Sequence, residues 1–150
     1  MNVLTINCGS SSLKYELYDM TTEMSRASGL CERVGGDDSS IRHQRHNGVD
    51  YRAQVAIPDH RVAIREAVAA LTSPEHGVIS SLDEIAAVGH RVVHGGEEFA
   101  RSVLIDENVE NAIDRFSKLA PLHNPPNLLG IRAARELLPE VPHVAVFDTA

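Results

Sequence analysis

The hydrophobic period of this chain changes once, at Pro58-Asp59, and that change limits what it can fold into. Before it, apolar residues come in short runs rich in Val, Ile, Leu and Tyr: Met1 to Asn7, Leu13 to Asp19, Ser28 to Val34 and Tyr51 to Ile57. Runs of that length and composition predict strands. Turn chemistry separates them, with Gly9-Ser10-Ser11, then GGDDSS (Gly35 to Ser40), then HNG (His46 to Gly48). The first two runs predict an antiparallel hairpin, and the first third of the chain a β-meander.

After Pro58 the spacing becomes helical. Asp59 is a candidate cap, and Ile64, Ala67, Val68 and Leu71 follow the i, i+3, i+4, i+7 pattern of a helix face. Asp106 precedes a second such face, Val109, Ala112, Ile113 and Phe116. Asn124 precedes Pro125 and Pro126 and then Leu128, Ile131, Ala134, Leu137 and Leu138, a third helix with proline in its first turn. Between the helices, Ile85 to Val88 and His143 to Phe147 read as buried strands. The expected class is α/β, a mixed sheet led by antiparallel hairpins and continued by helical crossovers. No internal repeat or low-complexity tract interrupts it.

Composition bounds the function. At 150 residues and 43% hydrophobic, the chain is expected to form one domain. Lys plus Arg number 14 against 21 Asp plus Glu, a net charge of -7, which argues against general nucleic-acid or anionic-membrane affinity. A site for an anion must therefore be local. The two cysteines, Cys8 and Cys31, sit in apolar stretches, and MNVLTIN has neither the basic region nor the apolar core of a secretory leader. The expectation is a cytoplasmic protein with reduced thiols. No apolar run approaches the roughly 20 residues that cross a bilayer.

Four stretches carry chemistry. In NCGSSSLK, Asn7 to Lys14, an extended backbone after Gly9 would put Ser10, Ser12 and Lys14 on one face, two hydroxyls and an ammonium beside a small-residue turn. Such a face can hold phosphate oxygens, although the Walker spacing is absent. Alone, it reads better as a solvated hairpin whose serines bond local backbone. In GHRVVHGG, Gly89 to Gly96, alternation puts Gly89, Arg91 and Val93 on one face and His90, Val92 and His94 on the other. Arg91 offers a fork suited to a carboxylate or phosphate with Val93 as apolar surface beside it, or else a structural ion pair. His90 and His94 lack a third ligand at suggestive spacing and read as structural histidines.

In APLHNPPN, Ala120 to Asn127, His123 stands before a proline-led helix, where unpaired N–H groups favour an anion. The same position suits a loop histidine bonded to a cap. Finally, in FDTA, Asp148 at the mouth of a buried strand suits a hard cation or a bound water, or a helix cap. Because open α/β sheets place ligands at the carboxyl ends of strands, an ending at Ala150 suggests a piece of something longer. His43, His46, His60, His76 and His143 fall in polar loops or at element ends and give no usable signal.

Taken together and in order, NCGSSSLKYELYDM, GHRVVHGG, APLHNPPN and VFDTA resemble the acetate kinase family over residues 2 to 150. The resemblance implies an actin-like, ribonuclease H-like ATPase domain. It implies that residues 1–150 are a truncated N-terminal domain, the C-terminal nucleotide-binding domain lying outside them. It implies reversible transfer of the ATP γ-phosphoryl group to acetate, with ATP/ADP and Mg²⁺, or Mn²⁺ in its place. Asn7 would contact the metal site, Lys14 the ATP, and Ser10 and Ser12 the phosphate channel. Arg91 would hold the acetate carboxylate with Val93 and Leu122 beside its methyl group, His123 would lie near the transferred phosphoryl, and Asp148 would be the essential carboxylate. Acetate and ATP are the implied partners, with no nucleic acid or membrane, and the full-length protein is expected to be a homodimer. The alternatives are a propionate or butyrate kinase of the same family and a non-catalytic nucleotide-binding domain.

Overall fold

A computed structural model describes residues 1–48, 50–92, 102–116 and 124–147. The predicted meander is present: β1 (Asn2–Cys8), β2 (Ser12–Asp19), β3 (Met24–Glu32), β4 (Ser40–Arg45) and β5 (Asp50–Gln54) pair antiparallel in succession. Helix α1 (His60–Thr72) then crosses over to β6 (Ile85–Val92), which runs parallel to β1. The short β7 (Val103–Leu104), α2 (Glu107–Phe116) and α3 (Asn124–Leu137) lead to β8 (His143–Phe147), parallel to β6 and antiparallel to β7. One 8-stranded sheet results, in the order β5-β4-β3-β2-β1-β6-β8-β7.

The cap read at Asp59 is in place, and Asp106, noted only as preceding the second face, plays the same part. Asp59 Oδ1 accepts the Val62 N–H at 2.9 Å and Asp106 Oδ1 accepts the Val109 N–H at 2.9 Å, each satisfying an otherwise unpaired first-turn donor. The predicted face of α1 is buried, with Ile64 and Leu71 almost fully removed from water, worth about 1.5 to 3 kcal/mol each.

Two differences from the sequence reading matter. Ser40–Arg45 is a strand although SIRHQR is mostly polar, and His43 sits in its middle, fully buried. Its Nε2–H donates to the His76 carbonyl at 3.1 Å and its Nδ1 accepts from the Tyr15 hydroxyl at 2.6 Å. Tyr15 reaches it across Gly29, where any Cβ would lie 2.1 Å from the ring. A neutral His43 is therefore core, and burial lowers its pKa. The second difference is that β5 ends at Gln54, so Val55 to Ile57 leave the sheet, with Ile57 buried in the core.

Period-two alternation divides the sheet into two faces. Leu4, Ile6 and Cys8, Leu13, Tyr15 and Leu17, and Val88, His90 and Val92 point to the core under α1 and α3. Val92, Ala145 and Phe147 extend it with Val109, Ile113, Leu128 and Ile131. The opposite face of β1, β2, β6 and β8 carries no described helix. Among the described residues, no helix is long and apolar enough to cross a membrane.

Candidate functional site

The helix-free face holds a cleft of about 340 Å³ across β2, β1, β6 and β8. Asn7, Lys14 and Arg91 all line it, joined by Thr5, Glu16, Gly89 and Val146. The sheet register explains the convergence. Asn7 and Lys14 are directly paired on β1 and β2, a relationship that sets their Cβ atoms about 5 Å apart. On the other side of β1, Thr5 pairs with Gly89 and Ile6 with His90, so Arg91 stands one step further along, level with Asn7. Arg91 pairs in turn with Val146. A cation, an amide, a second cation and an apolar side chain thus form one row across four strands.

Gly89 forms the floor. A Cβ there would meet nothing nearer than the Thr5 methyl at 3.9 Å, so the glycine leaves open a space that a larger side chain would fill. Glu16 supplies the one described carboxylate in the lining. It accepts the Tyr18 hydroxyl at 2.6 Å, a bond that pushes the Tyr18 pKa up. With Lys14 and Arg91 opposite, the cleft is a local positive site on a chain of net charge -7, which suits an anionic ligand.

The serines are arranged differently from the alternation reading. Strand β2 begins at Ser12, so Ser10 lies in the turn, exposed, and only Ser12 and Lys14 share the strand face. Ser12 Oγ folds back over the turn, 2.7 Å from where a Cβ on Gly9 would sit. Ser10 and Ser12 stand at the end of the cleft rather than in its lining. Val93, Leu122, His123 and Asp148 lie outside the described residues.

Sequence reading missed two residues that fix this turn. His60, at the start of α1, has Nε2 2.7 Å from the Gly9 carbonyl oxygen, and Asn127, in α3, donates from Nδ2 to the Cys8 carbonyl at 2.8 Å. Both are buried. With Ser11 O taken by the Val34 N–H and Ser12 O by the Gly9 N–H, every carbonyl from Cys8 to Ser12 except that of Ser10 has an assigned donor or a ladder place. The N–H groups of Ser10 and Ser11 have no partner among the described residues. Helix α3 can come this close because of Gly130, where a Cβ would lie 2.4 Å from Cys8 Sγ. Burial pushes the Cys8 thiol up to about 12, so it is a small packed group rather than a nucleophile.

Behind Arg91, on the core face of β6, His90 Nε2 lies 3.0 Å from His143 Nδ1, and His143 Nε2 lies 2.8 Å from the Leu138 carbonyl. Since a carbonyl only accepts, His143 carries its proton on Nε2, and Nδ1 accepts from His90. Burial, then His143 and Arg135, push His90 down to about 3, and burial likewise lowers His143. His90 is thus a structural histidine on the face opposite Arg91, as alternation implied, and His143, the first residue of β8, is a buried core group. Among the described residues, no cluster of three or more His, Cys, Asp or Glu is placed to hold a metal. The cleft donors, the Asn7 amide oxygen and the Glu16 carboxylate, are hard oxygen ligands of the kind Mg²⁺ and Mn²⁺ prefer.

Residues 2–150 match the acetokinase family over their whole extent. The chain belongs to the acetokinase family. The acetate kinase of Methanosarcina acetivorans is 61% identical over 150 residues, covering 100% of this chain and 37% of that protein. The crystal structure of Porphyromonas gingivalis acetate kinase superposes with a TM-score of 0.96 at 42% identity, covering 99% of this chain and 37% of that one. A propionate kinase from Francisella tularensis superposes with a TM-score of 0.89 at 36% identity over 99% of this chain and 37% of its own. This acetokinase-family chain therefore spans about 37% of the length of these relatives. Its fold is the actin-like, ribonuclease H-like ATPase fold, as the resemblance implied.

Proposed function

We propose that the protein is part of an acetate kinase. Residues 1–150 would be an N-terminal portion that carries the acetate-binding side and the phosphate-facing wall of a cleft. There the γ-phosphoryl group of ATP passes in line to an acetate oxygen, giving acetyl phosphate and ADP, and back. The observation that carries this reading is the convergence of Asn7, Lys14 and Arg91 on one open cleft.

Both substrates are anions, since acetate is ionised near neutral pH. Acetate needs no base, and the task is to hold two like charges together in the right geometry. The Arg91 fork pairs with the acetate carboxylate. Val146, with Val93 and Leu122, offers apolar surface to the methyl group. Lys14 faces the phosphates, and Ser10 and Ser12, with the open N–H groups of their turn, meet phosphate oxygens at its end. His123 would lie near the transferred phosphoryl. A divalent cation, Mg²⁺ or Mn²⁺, would neutralise phosphate charge, held by Asn7 and by the Asp148 carboxylate directly or through water. The adenosine contacts would come from chain outside these residues, and the full-length enzyme would be a homodimer.

The test is hydroxamate trapping of acetyl phosphate from the full-length protein with ATP, acetate and Mg²⁺. Acetyl hydroxamate is expected, and a clean negative would leave a nucleotide-binding domain without this chemistry. The likeness to a propionate kinase supports a second reading, a longer acyl acceptor. Ratios of kcat/KM for acetate, propionate and butyrate decide it, one methylene being worth about 1 to 3 kcal/mol.

A further inference from the structure

Beside its two cations the cleft carries a carboxylate, Glu16, whose charge opposes the binding of any anion there. Glu16 stands between Lys14 and Tyr18 on the outward side of β2, where alternation sets each roughly 7 Å from the next along the strand. Thr5, its partner on β1, donates from Oγ1 to the Glu16 main-chain carbonyl at 3.3 Å, which ties the backbone on the cleft side. The carboxylate itself has two neighbours within reach, an ammonium on one side and a phenol on the other.

It takes the phenol. The Tyr18 hydroxyl donates to Glu16 Oε1 at 2.6 Å. Lys14 makes no hydrogen bond or ion pair among the described residues, although a carboxylate lies two residues away on its own face. Magnitudes account for the choice, since a hydrogen bond to a charged group outweighs an exposed ion pair. Tyr18 is half-buried and fixed by strand pairing with Val3 and Ser25, so it has few conformations to lose, whereas exposed Lys14 would have to order a long flexible chain. Tyr18 lies two residues beyond Glu16 and Lys14 two residues before it. The hydroxyl therefore draws the carboxylate along β2, away from the ammonium.

We propose that Tyr18 is a positioning residue for nucleotide binding: its hydroxyl holds Glu16 off Lys14 and leaves the ammonium open to the phosphate oxygens of ATP. The inference rests on the reading of Lys14 as the phosphate-facing cation. Without the hydroxyl, Glu16 is released towards Lys14 and becomes an internal competitor that an incoming phosphate must displace.

The test is a double-mutant cycle on the full-length enzyme, read as KM for ATP and for acetate and, by calorimetry, as Kd for ATP. Tyr18→Phe, which keeps the ring and its packing, should fold and raise both ATP constants about 2- to 5-fold, the worth of an exposed ion pair, with KM for acetate near its original value. Glu16→Gln, which cannot compete as an ion, should lower both ATP constants about 2-fold. Tyr18→Phe/Glu16→Gln should match Glu16→Gln, because the hydroxyl then has no carboxylate to hold. A tyrosine that served packing alone would carry its effect unchanged into the double variant. That result, or ATP constants in Tyr18→Phe equal to the original ones, would overturn the proposal. Lys14→Ala separates the inference from the reading beneath it. If Lys14→Ala weakens ATP binding and Tyr18→Phe does not, the inference alone falls; if Lys14→Ala leaves ATP binding unchanged, both fall.

Discussion

His60 Nε2 lies 2.7 Å from the Gly9 carbonyl oxygen, across 51 residues of chain. The bond ties the first turn of α1 to the serine turn at the end of the cleft and leaves the Ser10 and Ser11 N–H groups to face outward. His60 is buried, and truncating it takes this donor from the half-buried Gly9 carbonyl, a cost of about 0.5 to 1.5 kcal/mol.

His60→Ala in the full-length enzyme is therefore expected to raise KM for ATP about tenfold or more and leave KM for acetate near its original value. His60→Gln, whose amide can replace the donor, should recover most of the loss. Steady-state kinetics with each substrate varied in turn read this out. A fall in Tm with KM for ATP unchanged would reduce His60 to a packing role.

Gly130 and Cys8 form a contact that no larger pair can occupy. Gly130→Ala is expected to destabilise the fold by about 1 to 3 kcal/mol, because its Cβ would sit 2.4 Å from Cys8 Sγ. Adding Cys8→Ala removes the obstructing sulfur and should return part of that stability, a coupling that urea denaturation of the four proteins in the cycle measures. Additive effects would contradict the contact.

Much of this architecture was legible because it rests on period and caps. The meander, the faces of the three helices, Asp59 as a cap, and Arg91 opposite His90 all follow from local spacing. Strand β4 was not legible, because its inward positions hold Ile41, His43 and Arg45, and His43 is made apolar in effect only by Tyr15 and the His76 carbonyl. Ser10 fell in the turn because the Gly9 N–H bonds Ser12 O, which starts the strand two residues later than alternation assumed. His60 and Asn127 gave no signal, since their partners are 51 and 119 residues away. Val146 went unnoticed as a cleft residue because only the β6–β8 register sets it beside Arg91.

The buried pair His90 and His143 predicts an acid-labile fold. The unfolded chain takes up protons as pH falls below about 6.5, whereas folded His90 resists protonation until about 3. The unfolded state thus binds more protons throughout that window, and stability falls as pH is lowered through it. At pH 5 His90 alone should cost about 2 kcal/mol relative to pH 7.5, with His143 and His43 adding in the same direction. Urea denaturation at pH 7.5, 6 and 5 checks this. His90→Gln should flatten the profile, and an unchanged profile would place the acid sensitivity elsewhere.

The central claim is that Arg91 and Lys14, on two sides of Asn7, divide the substrates between them. The most direct measurement is the pair of KM values, for acetate and for ATP, in Arg91→Ala and Lys14→Ala of the full-length enzyme. Loss of a charge-assisted pair is worth about 1.5 to 3 kcal/mol. Arg91→Ala should therefore raise KM for acetate by about 10- to 100-fold with little change for ATP, and Lys14→Ala should do the reverse. Equal effects of both substitutions on both substrates, or normal acetate saturation in Arg91→Ala, would contradict it.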